Sequence, residues 1–85
     1  MKIHVYNDPG HGWGAVKRDI LTTFGIADKV STYSYQRGQT VYLEEDCDLS
    51  LLLGALRQRG VTPEFIEHHT NRRSPIRSYD HYQHN

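Results

Sequence analysis

The sequence predicts an α+β fold of the ferredoxin-like kind: a βαββαβ two-layer sandwich in which two helices cover one face of a four-stranded antiparallel sheet. Three observations predict it. Apolar residues alternate with period two at Lys2–Asn7 and Thr40–Glu44, as strands require. They recur with helical spacing at Trp13–Phe24 and Leu49–Arg59. Each helical stretch then ends on the same stop, Gly25-Ile26 and Gly60-Val61, a glycine suited to the left-handed position with an apolar residue after it.

In the first strand, Ile3 and Val5 alternate with Lys2, His4 and Tyr6. Trp13, Val16, Ile20 and Phe24, with Leu21 beside them, mark one face of the first helix. A second strand is expected at Lys29–Tyr35, folded onto Thr40–Glu44 by the turn Gln36-Arg37-Gly38-Gln39. Asp48 reads as the N-cap of the second helix, whose buried face is Leu49, Leu52, Leu53 and Leu56. Pro63–His68 supplies the fourth strand through Phe65 and Ile66. Two crossovers joined by a hairpin give strand order 4-1-3-2. The expected core is Ile3, Val5, Val16, Ile20, Phe24, Val41, Leu43, Leu52, Leu53 and Leu56. Residues 1–70 form the single α+β domain and residues 71–85 an extended polar, basic C-terminal arm.

Composition narrows the function classes. Eighty-five residues with 36% hydrophobic content make one small domain. Ten basic and ten acidic residues cancel, so nucleic acid or a membrane surface would have to be met by a local patch. The single cysteine, Cys47, forms no internal disulfide and fits a reducing compartment. With no signal pattern at the start and no apolar run of about 18 residues, a cytoplasmic location is expected.

The loop Asp8-Pro9-Gly10-His11-Gly12-Trp13-Gly14 stands between the first strand and the expected helix. Backbone amides at such a junction favour anions. The loop is neither a Walker A motif nor a dinucleotide fingerprint. Read functionally, it is an anion or nucleotide cradle formed by Gly10, His11, Gly12 and Trp13. The topology brings Arg37 to the same edge, and Arg73 and Arg77 reach it along the arm. Read structurally, the glycines permit a tight turn and Trp13 anchors the helix in the core. Tyr33 and Tyr35 share one face of the expected second strand, and Tyr6 and Tyr42 can join them there, as a stacking platform, a self-association surface or a plain solvated face. Glu44, Asp46 and Asp48 offer oxygen ligands for Mg²⁺, but equally a helix start that pairs with Arg72 and Arg73. His68 and His69, as consecutive strand residues, face opposite sides and do not share a metal. Cys47 is a small buried residue rather than a nucleophile.

Three stretches carry a resemblance: His11-Gly12-Trp13 with Ala15-Val16-Lys17-Arg18; Ser34-Tyr35 with Tyr42-Leu43-Glu44-Glu45-Asp46-Cys47-Asp48; and Arg73-Ser74-Pro75-Ile76-Arg77-Ser78-Tyr79. Through them, over nearly its whole length, the chain resembles a group of short proteins carried by bacteriophages, prophages and plasmids. The resemblance implies a non-enzymatic accessory protein in the host cytoplasm that counters host defence by binding. Its partner would be a nucleotide-type signal or a host defence protein such as a CRISPR effector. An RNA- or DNA-binding module and a small Mg-dependent nuclease are the alternatives. No cofactor is expected, and a homodimer is, because a two-layer sandwich leaves one aromatic sheet face open.

Overall fold

A computed structural model describes residues 1–84. The chain is α+β, built on one six-stranded mixed sheet with two helices. In chain order the elements are β1 (Lys2–Asn7), β2 (Gly12–Lys17), α1 (Arg18–Thr23), β3 (Tyr35–Arg37), β4 (Thr40–Glu44), α2 (Asp48–Gln58) and β5 (Glu64–His69). A short 3-10 helix (Pro75–Ser78) and β6 (Asp80–His81) follow. The sheet order is β5-β1-β2-β4-β3-β6, with β5 parallel to β1 and every other pair antiparallel.

This corrects the four-stranded antiparallel expectation, and one misread segment explains most of the difference. Gly12–Lys17 is a strand, not the first half of a helix. Asp8-Pro9-Gly10-His11 is a hairpin loop closed by Asp8 N–H donating to the His11 carbonyl at 2.9 Å, so β1 and β2 pair with Asn7 opposite Gly12. Two glycines in six residues disfavour helix, while pairing with β1 and β4 satisfies the β2 backbone on both sides. The helical spacing from Trp13 to Phe24 was a coincidence of two elements. The extra strand also reverses the chain once more, so the strand after α2 lies beside β1 as expected but runs parallel to it.

The second strand is likewise shorter than expected. Lys29–Ser34 is turn, bend and irregular chain, and only Tyr35–Arg37 pairs, with β4 and β6. The reason is a buried polar node. Asp48 accepts from Ser31 N–H at 3.1 Å, from the Ser31 hydroxyl at 2.7 Å and from the Ser34 hydroxyl at 2.5 Å. Asp48 is therefore a tether inside the first turn of α2, not its N-cap, which is Cys47. Glu44 braces the turn that leads into the helix, accepting from Asp46 N–H at 2.8 Å and Cys47 N–H at 3.0 Å, and no side chain caps the helix itself.

Both helix stops form as expected. Ile26 N–H bonds the Leu21 carbonyl and Gly25 N–H that of Thr22; Val61 N–H bonds Leu56 and Gly60 N–H bonds Arg57. These are two Schellman motifs, with Gly25 and Gly60 at φ 72° and 71°.

Residues directly opposite in the sheet share a face, so the registers sort the side chains into two layers. On the helix face, Ile3, Val5, Val16, Val41 and Leu43 pack with Leu21, Ile26, Leu49, Leu52, Leu56 and Tyr82. Ile20, Phe24 and Leu53 of the expected core are only partly buried. The segment beyond residue 70, read as an arm outside the domain, buries Ile76 and Tyr82 and adds β6 to the sheet.

Candidate functional site

The second face of the sheet carries Lys2, His4 and Tyr6 from β1, Trp13, Ala15 and Lys17 from β2, Thr40, Tyr42 and Glu44 from β4, and Tyr35 and Arg37 from β3. No helix covers it. The segment Ser74–Tyr79 crosses it as a strap and divides it.

The strap is held by Asp8. This carboxylate, its side chain 1% exposed, takes Arg77 bidentately, Nε at 2.7 Å and Nη2 at 2.9 Å. It also accepts from the backbone N–H groups of Ser74, Gly10 and His11, each at 2.9 Å. The Arg77 guanidinium, against the opposing effect of burial, and these three amides hold the Asp8 carboxyl far below the usual carboxylate range. The same hydrogen bond pushes Arg77 up. The loop amides and the arginine expected to hold a ligand anion thus meet the chain's own.

Each expected ligand residue can now be placed. His11, Trp13 and Arg77 line one cleft of about 330 Å³ together with Tyr33, Tyr35 and His81. Trp13 is 2% exposed, yet it belongs to this second face rather than anchoring a helix, with Arg77 5.3 Å over its ring. Gly10 and Arg73 border a smaller groove of about 220 Å³ with Asp8 and Arg77. Gly12 lies in β2, where a Cβ would strike the Asn7 amide and stand 2.7 Å from the Glu45 carboxylate. Arg37 is not brought to His11 and Trp13. Its guanidinium lies 5.1 Å from the Tyr79 ring centre and donates to the Tyr79 hydroxyl at 3.2 Å.

Glu44 braces the turn before α2 and Asp48 tethers a loop, and among the described residues no three His, Cys, Asp or Glu side chains converge on a cation site. The expected pairing with Arg72 and Arg73 is not made; among the described residues the single ion pair is Arg77–Asp8. Cys47 is exposed, not buried. Desolvation, and then the carboxylates of Glu44, Asp48 and Asp46, push its thiol up, away from the thiolate a nucleophile needs.

A run of rings crosses the open face on the other side of the strap. Tyr79 and Tyr42 have centroids 5.3 Å apart, Tyr42 and Tyr6 6.4 Å, Tyr6 and His68 4.7 Å, and His68 and His4 5.1 Å. Two clefts meet along this run and share Tyr6 and Tyr42 as walls. One, of about 330 Å³, opens between the strap and β5 and is lined by His68, Thr70, Ser74 and Tyr79. The other, of about 550 Å³, opens toward Lys2 and Lys17. Neither has a carboxylate in its walls. Burial, with the neighbouring phenols of Tyr79 and Tyr6, pushes the Tyr42 hydroxyl up, so it remains a neutral donor.

Strand alternation in the sequence had placed Tyr6, with Lys2 and His4 beside it, and Tyr42 on this face, but His68 and Tyr79 were missed. Lys17 was legible only once Gly12–Lys17 was known to be a strand. The signal that would have found it is Asp8-Pro9-Gly10, a turn tripeptide between two alternating runs. No family model, curated protein or solved structure matches the chain.

Proposed function

We propose that this protein acts by binding, and that its ligand is a nucleotide-class anion held on the open sheet face, with its base against Tyr6, Tyr42 and Tyr79 and its phosphates toward Lys2, Lys17 and Arg37. The observation that carries this reading is the pair of carboxylate-free clefts sharing Tyr6 and Tyr42, with lysines at one end. A chain whose ten acidic residues match its ten basic ones has kept the acids out of these walls. Such a surface suits a flat ring joined to negative charge, since rings offer stacking to any base and the cations offer charge-assisted hydrogen bonds. The engagement of Glu44 in bracing the turn before α2 and of Asp48 in tethering the Ser31–Ser34 loop supports binding over metal-dependent cleavage. The reading keeps the expected ligand class but moves it from the His11 loop, whose amides already serve Asp8. In the phage-type setting that the sequence resembles, the consequence would be withdrawal of a nucleotide signal from host defence.

Titration calorimetry with mono-, di- and cyclic nucleotides tests this. Tyr6→Ala and Tyr42→Ala should each weaken binding by about 1–3 kcal/mol, the worth of one stacked base, or roughly five- to 150-fold. Lys17→Ala should flatten the salt dependence. Equal affinity in parent and tyrosine variants, or no nucleotide binding at all, overturns the reading. Binding of single-stranded oligonucleotides but not of free nucleotides transfers it to the nucleic-acid alternative.

A further inference from the structure

The geometry points to a symmetric dimer in which β5 pairs antiparallel with β5 of a second copy, joining two sheets edge to edge. β5 is the outermost strand on its side, and of its six residues only Ile66 is even half-buried. Glu64 N–H donates to the Met1 carbonyl at 2.8 Å and Thr70 N–H to that of Asn7 at 3.0 Å. In a parallel ladder the residues of a strand bond alternately to one side and the other. Glu64, Ile66 and His68 therefore bond inward to β1, and the peptide groups of Phe65, Glu67 and His69 point outward. That edge is six residues long and holds no proline or bulge, unlike the two-residue β6 at the far side. Unpaired edges of this kind are templates for another strand.

The side chains select a second copy as the occupant and also select the register. Antiparallel pairing must join outward residues to outward residues, so a twofold axis falls at Phe65, Ile66, Glu67 or His68, and an axis at Phe65 or His68 overlaps only three residues of β5. An axis at Glu67 sets two carboxylates directly opposite, which is unfavourable. An axis at His68 opposes two imidazoles and leaves Phe65, an exposed apolar side chain at 45%, beyond the overlap. An axis at Ile66 puts Ile66 against the partner's Ile66 and pairs Glu64 with the partner's His68 at both ends. It also seats the partner's Glu67 opposite Phe65. On that side Phe65 lines a groove of about 410 Å³ with Leu53, Arg57, Val61 and Pro63, so the incoming carboxylate meets an arginine. Of the two registers that overlap five residues of β5, this one opposes no like charges and places the apolar residues centrally. The twofold axis stands normal to the sheet, so both open faces lie on the same side of the joined sheet. The inference stands independently of the nucleotide reading.

Sedimentation equilibrium from low to high micromolar concentration tests the pairing. The parent should approach twice its 9.9 kDa chain mass. Glu67→Pro removes an outward N–H and no inward ladder bond; it should remain a monomer throughout with an unchanged circular-dichroism spectrum. Ile66→Cys in a Cys47→Ser background tests the register without relying on the proline variant. Opposed residues of this kind stand within disulfide reach, so mild oxidation should convert it to a covalent dimer, while Glu67→Cys in the same background should not be converted. A parent that stays monomeric overturns the inference, as does a folded Glu67→Pro variant that still dimerises. Cross-linking at Glu67→Cys in place of Ile66→Cys overturns the register.

Discussion

Gly14→Ala should destabilise this protein, although alanine is ordinarily the better residue in a strand. Gly14 sits in β2 opposite Val5 and Leu43, under the first turn of α2. A Cβ there would stand 2.6 Å from Leu49 Cδ1, 3.1 Å from Leu49 Cδ2 and 3.4 Å from Ile3 Cγ2. Carbon atoms prefer about 3.5–4.0 Å, so Leu49 or the helix must retreat by close to 1 Å. Leu49 is 7% exposed and packed among the core residues, so its methyl groups move only at the expense of that packing. Overpacking of this kind costs about 1–3 kcal/mol, against a backbone gain of about 0.5–1 kcal/mol from losing the glycine. With mid-range values the net loss is about 1 kcal/mol, which lowers the melting temperature of a domain this size by roughly 4–8 °C. Leu49→Ala alone should cost about 2–5 kcal/mol through the cavity it leaves. The double variant should be more stable than the sum of the two, because the new methyl group enters that cavity, with coupling of about 0.5–3 kcal/mol. Urea unfolding of the four proteins measures this. A neutral or stabilising Gly14→Ala, or additivity within about 0.5 kcal/mol, refutes the claim that Gly14 is glycine because α2 approaches so closely.

Asp8→Asn should lower the urea midpoint at neutral pH, because Arg77 and three amides lose their shared carboxylate. The Asp8 carboxyl binds a proton less readily folded than unfolded. Its contribution is therefore complete above the ordinary aspartate pKa of about 4 and drains away as pH falls below it. The gap between parent and variant should thus narrow on acidification below pH 4, and a gap that stays constant counts against the assignment. Arg77→Ala should red-shift the emission of Trp13, the single tryptophan, and increase its quenching by acrylamide with little change in far-UV circular dichroism. An unaltered emission spectrum would mean that the strap does not cover Trp13.

What the sequence by itself determined are the features set by residues close together in the chain. The two Schellman stops need only a glycine and the apolar residue after it. The hairpin ending at Thr40 needs only Gly38, whose φ is 59°. The α2 face at Leu49, Leu52 and Leu56 follows from helical spacing alone. The tertiary structure decided whatever depends on a distant partner. Gly12–Lys17 is a strand because β1 and β4 stand on either side of it, a condition that no local window contains. Ser31 and Ser34 leave the expected strand because Asp48, from 14 to 17 residues away, accepts their protons. Arg77 was legible as a residue that grips a carboxylate or phosphate, but whether that anion came from a ligand or from the chain was decided 69 residues upstream, at Asp8. The aromatic face shows both limits. Tyr6 and Tyr42 follow from strand alternation, whereas the place of Tyr79 beside them depends on where the strap crosses the sheet. A charge or a ring is readable in sequence; what it faces is settled by packing, because the energy that settles it comes from burying the two together.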